Sequence, residues 1–93
     1  MDVEEIANTA AVLAGKVVLV RHPEGLYTAC EGKYEIRPTA GTGSKWWRIV
    51  LVAKQINKNG VERIDRRGLG DYFRDLEHCR GFITEHHTNR AAR

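Results

Sequence analysis

A glycine-rich loop is the first stretch whose residue types could do chemistry. Residues 40–45 read AGTGSK, and successive backbone amides in such a loop can cradle an anion. A nucleotide-binding Walker loop needs the order G-x-x-x-x-G-K-[S/T] and a helix after it. In this chain Ser44 precedes Lys45 and an apolar, strand-like run follows. We therefore interpret the loop as a connector that can touch an anionic partner, and not as a nucleotide site.

The histidines and cysteines are spaced poorly for metal binding or catalysis. Cys79 and His86 would lie about 10 Å apart along a helix, too far to share one zinc ion with ligand distances of roughly 2.0–2.3 Å. Cys30 or Ser44 could act as a nucleophile only beside a base such as His22, and nothing in the spacing brings them together. A zinc site joining His22 and Cys30 to the C-terminal histidines is the alternative. We predict no catalytic residue, no metal ligand and no cofactor, and two free thiols.

A basic field around two adjacent tryptophans is the strongest functional signal. The chain has a net charge of +3, but residues 33–67 hold nine Lys or Arg against three Asp or Glu. Neighbouring residues of a strand point to opposite faces, so Trp46 and Trp47 cannot both be buried in one core. We assign Trp47 to the core and Trp46 to the exposed face. The predicted partner-binding residues are Trp46, Arg48, Lys54, Lys33, Arg37, Lys45, Arg63, Arg66 and Arg67.

The elements that must position these residues begin with an amphipathic helix over residues 2–14. Its packing face is predicted from apolar residues at three- and four-residue spacing, namely Val3, Ile6, Ala7, Ala10, Leu13 and Ala14. The β-branched run KVVLVRH at residues 16–22 then predicts an inner strand. After two turn signals, Tyr34 and Ile36 alternate with charged residues, which places this pair in the core.

The central hairpin is predicted from the period-two pattern after the glycine loop. Trp47, Ile49, Leu51 and Ala53 form a uniformly apolar face that we assign to the core. The pair Asn59-Gly60 favours a two-residue type I′ turn. The simplest register after that turn places Ile64 inward and Arg63 outward.

The chain is predicted to finish with a helix. Glycines at positions 68 and 70 should end the preceding strand, and Asp71 is the expected N-cap. The apolar stripe of this helix comprises Tyr72, Phe73, Leu76, Cys79 and Ile83, and the polar tail from about residue 84 is expected to fray. The predicted fold is a single α+β domain over residues 1–93. It has an N-terminal helix, an antiparallel sheet of four to five strands and a C-terminal helix, arranged as a two-layer sandwich with both helices on one sheet face.

Composition and charge indicate a soluble binding protein. No apolar run approaches the roughly 18 residues that cross a bilayer, and no secretory signal is visible, so we expect a cytoplasmic protein without a membrane partner. We expect a small non-enzymatic protein-binding module, an adaptor or an inhibitor of the kind that phages and mobile elements encode. Its basic face centred on Trp46 would dock on an acidic protein surface. The alternatives are a nucleic-acid-binding module for single strands or RNA that uses the same face, and a purely structural Trp46 covered by the preceding loop.

Overall fold

The computed structural model describes residues 3–39 and 46–91, which form two helices and one antiparallel sheet. The strands lie in the order of the chain, each paired with the next. Both helices lie on one face of the sheet and leave the other face open, so the predicted α+β architecture is confirmed. The elements are α1 (Val3–Leu13), β1 (Val20–Arg21), β2 (Tyr27–Ala29), β3 (Tyr34–Pro38), β4 (Trp47–Ile56), β5 (Glu62–Phe73) and α2 (Leu76–Ala91).

The core lies between the sheet and α2. Its largest fully buried side chains are Tyr34 and Ile36 of β3, Ile49 of β4, and Cys79 and Ile83 of α2. Each of the apolar side chains contributes about 2 kcal/mol of burial free energy. The period-two pattern identified the strand residues of this core correctly, and Trp47 and Leu51 pack against it as predicted.

The apolar face predicted for α1 is not its packing face. Val3 and Leu13 are 81% and 85% exposed, and Ile6 is exposed as well. The helix is instead oriented by hydrogen bonds on another side. Asn8 donates its amide to the Leu19 carbonyl at 2.9 Å and accepts from the Leu19 amide at 3.1 Å. These directional bonds fix the rotation of a short helix, with Ala11 buried and Val3, Ile6 and Leu13 left in solvent.

Segment 16–22, predicted as an inner strand, lies at the edge of the sheet, where side chains cover its backbone. Besides the two bonds from Asn8 to Leu19, the Val17 amide donates to Thr84 Oγ1 at 3.0 Å. The Val17 carbonyl accepts from Arg80 Nη1 at 2.7 Å. Arg80 is only 3% exposed, and the same Nη1 also donates to Asn8 Oδ1 at 3.0 Å. These side chains take the place of a neighbouring strand at Val17 and Leu19.

The turn of the central hairpin has three residues, and the predicted type I′ turn is wrong. Of its residues only Gly60 has a positive φ, at 78°, whereas a type I′ turn needs two. The Asn57 side chain accepts hydrogen bonds from the amides of Asn59 and Val61, each at 2.9 Å. These bonds favour a type I turn followed by a left-handed glycine.

The extra turn residue shifts the register of β5 by one, which exchanges its two faces. Ile64 lies opposite Lys54 on the open face, and Arg63 lies opposite Gln55 on the helix side. The prediction that Ile64 points inward and Arg63 outward is therefore wrong. Arg67 is also on the helix side, opposite Leu51.

Strand β5 also continues past the predicted break. Ile49 pairs with Leu69 and Trp47 with Phe73, so three residues of β5 bulge opposite Arg48. Gly70 accommodates this bulge with a φ of 65°. The N-cap of α2 is accordingly not Asp71. Asp75 Oδ1 accepts from the His78 amide at 2.8 Å, and α2 then runs to Ala91 through the polar segment expected to fray.

A strained turn between β2 and β3 gives a first testable prediction. Glu31 has a φ of 58°, in the left-handed region that costs an L-residue roughly 1–2 kcal/mol. We expect Glu31→Gly to raise the free energy of unfolding by about 0.5–1 kcal/mol, measured by urea denaturation. Glu24→Gly is the matched control, because Glu24 is equally exposed in a turn but has no positive φ. Stabilisation by both variants, or by neither, would contradict the attribution of strain to the left-handed backbone of Glu31.

Candidate binding face of the sheet

The open face of the sheet is built by directly opposed residues of three strands. Arg37 of β3 lies opposite Arg48 of β4, and Val52 of β4 lies opposite Arg66 of β5. Side chains opposed in this way share one face. What we call the open face comprises Glu35, Arg37, Arg48, Val50, Val52, Lys54, Ile56, Glu62, Ile64 and Arg66.

A single carboxylate holds two of the arginines on the open face. Glu35 accepts from Arg37 Nε at 3.1 Å and from Arg66 Nε at 3.4 Å. The Glu35 side chain is only 13% exposed, whereas both arginine side chains are about half exposed. Each guanidinium has five N–H donors, and the bonds to Glu35 use only the Nε donor of Arg37 and of Arg66. Glu35 therefore orients the two cations without using up their capacity to bind an anion.

Arg48 lies flat across β5 because Gly68 leaves room for it. A Cβ atom at Gly68 would stand 2.8 Å from Arg48 Nη2, which is too close for any other residue without a shift of the arginine. Within residues 3–39 and 46–91, the structure gives Arg48 no ion pair. It is also directly opposite Arg37, another cation. The open face thus carries a surplus of positive charge at this point.

Apolar side chains occupy the middle of the open face. Val50 is buried beneath its charged neighbours, Val52 is half-buried, and Ile64 is exposed. The Arg48 guanidinium lies beside Val50 in a shallow depression. The result is an apolar strip bordered by cations.

The exposed aromatic residues lie at the end of this face and not at its centre. Trp46 is 43% exposed, as predicted, but the Arg74 guanidinium stands over its ring at 5.8 Å from the centroid. Tyr72 is 62% exposed and lines both the depression beside Arg48 and one beside Trp46. Sequence reasoning missed Tyr72 and Arg74 because it assigned this segment to the last helix.

The remaining predicted binding residues are dispersed. Arg63 faces the helix side and pairs with Asp65 at 3.2 Å, and Arg67 shares that face. Lys54 is on the open face and pairs with Glu62 at 3.7 Å. Lys33 lies in the turn before β3, where its carbonyl accepts from the Val52 amide at 2.8 Å. Lys45, with Ser44 and the rest of the glycine loop, lies outside the described residues.

The residues considered for catalysis or metal binding are hydrogen-bonded or are partly to fully buried, namely His22, Cys30 and Cys79. His22 Nε2 is hydrogen-bonded to Thr28 Oγ1 at 2.8 Å. Cys30 and Cys79 are free thiols, and burial raises the pKa of both, that of Cys79 to about 12. Such thiols stay protonated and are poor nucleophiles at neutral pH. In the part of the chain that the structure describes, no group of three or more His, Cys, Asp or Glu residues is arranged to hold a metal ion.

Neither a membrane-spanning helix nor a related protein indicates the function of this chain. No helix among the described residues is both long and apolar enough to span a membrane. The chain matches no protein-family model, no curated protein and no solved structure.

Proposed function

We propose that the chain is a small, non-enzymatic protein-binding module that applies its open face to an acidic patch of another protein. The observation that carries this proposal is the direct opposition of Arg37 and Arg48 across β3 and β4. Like charges in this position destabilise a sheet. A carboxylate of a partner placed between them would relieve the repulsion and gain charge-assisted hydrogen bonds.

The chemistry of the open face favours a protein partner over nucleic acid. Protein interfaces combine an apolar centre with arginine anchors. On this face Val52 lies opposite Arg66, Ile64 lies beside Arg66 on the same strand, and Arg48 lies further along β4. A module of this type acts by occupying a surface, either as an adaptor or as an inhibitor.

Nucleic acid is the second candidate, and the aromatic end of the open face is the feature in its favour. Trp46 and Tyr72 are exposed beside Arg74. Bases of a single strand stack on such side chains at roughly 1–3 kcal/mol per base. This contact would use the end of the face and leave its centre unoccupied.

Charge reversal at Arg48 tests the proposal. We expect Arg48→Glu to reduce capture of a partner from lysate by the immobilised chain at least about tenfold. The variant should fold, because the new carboxylate would lie opposite Arg37 and attract it. Arg67→Glu is the matched control, since it makes the same charge change on the helix side of the sheet. Equal capture by both variants would sink the open-face proposal.

A parallel titration with single-stranded oligonucleotides at two salt concentrations separates the two candidates. Binding that falls steeply with salt and is lost in Trp46→Ala would favour nucleic acid, because counterion release sets the salt dependence and stacking needs the ring. Under the protein proposal, oligonucleotide binding stays weak, and the capture of the protein partner survives nuclease treatment.

A further inference from the structure

The two edges of the sheet differ, and the edge formed by β5 is open. The Val52 amide donates to the Lys33 carbonyl on the β3 side. Arg66 lies opposite Val52 in the β4–β5 ladder, so the amide and carbonyl of Arg66 point away from β4. Because this direction alternates along a strand, Glu62, Ile64 and Gly68 also direct their backbone groups outward. No partner for these groups lies within the described residues.

We propose that this edge binds a second copy of the chain, with the two β5 strands antiparallel about a two-fold axis at Ile64. The contact would join two sheets into one continuous sheet. It is independent of the proposed function, since it uses the edge of the sheet and not its face.

The charges along β5 select this centre. Residues with outward backbone groups pair only with residues of the same kind, so the axis of an antiparallel pair of identical strands passes through one residue and its own copy. A charged residue at the centre would face itself. Between Glu62 and Arg67, Ile64 is the one uncharged residue. An axis there avoids self-opposed charge over this segment.

The same centre brings opposite charges together on both sides of the axis. Glu62 of one copy would face Arg66 of the other, and Arg63 would face Asp65, each twice by symmetry. Cross-strand pairs of opposite charge stabilise a sheet, whereas like charges in that position destabilise it. In the single chain the ion pair between Arg63 and Asp65 is solvent-exposed, so both groups are accessible to a second copy. Ile64, which is exposed in the single chain, would be covered by its own copy.

Charge exchange at two positions tests the register, with sedimentation equilibrium as the measurement. The wild-type chain is expected to dimerise reversibly in the micromolar to millimolar range at low salt. Asp65→Arg should raise the dimer dissociation constant at least about tenfold, because two like-charge contacts replace two attractive ones. Adding Arg63→Asp should restore it to within a factor of about three. Asp71→Arg, the same charge change outside the paired segment, is the control and should leave dimerisation unchanged.

Two results of this test would overturn the proposal, namely a wild-type chain that stays monomeric at millimolar concentration and a double variant whose dimerisation fails to recover.

Ile64→Pro supplies a second test. Its missing N–H points out of the open edge, so the β4–β5 ladder should survive while edge pairing is lost. In hydrogen exchange of the wild-type chain, the amides of Glu62, Ile64 and Arg66 should become protected only as the protein concentration rises. The amides of Arg63 and Asp65 should be protected at every concentration, because they bond to β4. Dimerisation that persists in Ile64→Pro would place the interface elsewhere.

Discussion

Replacing Arg80 by methionine is expected to lower the free energy of unfolding by about 3 kcal/mol. Methionine keeps the unbranched apolar stem of the side chain but removes the donors to the Val17 carbonyl and to Asn8 Oδ1. The Val17 carbonyl is then left without a partner, which costs about 1–3 kcal/mol, while Asn8 Oδ1 keeps the Leu19 amide as its donor. Urea denaturation followed by tryptophan fluorescence measures the loss.

The control for this variant is Glu77→Gln. Glu77 pairs with Arg80 at 3.2 Å, but its carboxylate is exposed, so its charge should contribute at most about 1 kcal/mol. The two variants also differ in where they loosen the chain. Arg80→Met should increase proteolysis between α1 and β1, because Arg80 joins that connection to α2. If Arg80→Met left the free energy of unfolding unchanged, the apolar contacts alone would be holding α1 in place.

Alkaline pH is expected to destabilise the fold strongly. Burial raises the pKa of the Cys79 thiol from an ordinary value of 9.0 to about 12. Between these values the unfolded chain ionises while the folded chain keeps its proton. Unfolding then releases a proton, and the free energy of unfolding falls by up to about 1.4 kcal/mol per pH unit for this group. Burial also raises the pKa of Tyr27 and Tyr34, which extends the loss of stability above their ordinary value of 10.0.

Cys79→Ala tests the alkaline prediction, with circular dichroism as the probe of unfolding at each pH. The variant should have a flatter dependence of stability on pH between 9.0 and about 12, because it lacks the raised pKa. Its free energy of unfolding at neutral pH will be lower because packing is lost. The test is therefore the slope of the free energy of unfolding against pH, and not its absolute value. An unchanged slope, or rapid labelling of Cys79 by a thiolate-selective reagent in the native chain, would contradict a buried, protonated thiol.

Strand periodicity predicted most of the core residues that the sheet contributes. The predictions failed where polar contacts determine the structure. Tyr34, Ile36 and Ile49 were found because alternation along a half-buried strand leaves few other faces for them. The orientation of α1 was missed because hydrogen bonds from Asn8 outweigh its apolar periodicity. Nothing in sequence distinguishes Arg80, which is buried, from a solvated helix residue.

The candidate site was predicted in composition but not in arrangement. Arg37 and Arg48 were identified on the exposed face from their alternation with core residues. Arg63 was assigned to the wrong face because the Asn57 side chain adds one residue to the hairpin turn, and a single residue exchanges the faces of everything after it. Tyr72 was missed because the bulge depends on pairing between strands, which a local pattern does not contain.

The covering of segment 16–19 by Asn8, Arg80 and Thr84 limits how this protein can assemble. A sheet with two free edges can add neighbours without end, as fibres do. Here side chains of the chain's own helices occupy the outward backbone groups of Val17 and Leu19 at one edge, so β5 is the longer free edge. Pairing through β5 would then consume the open edge of both copies. Association through the β5 edge therefore closes at two molecules, and the polar contacts that orient α1 also protect part of the opposite edge from strand addition.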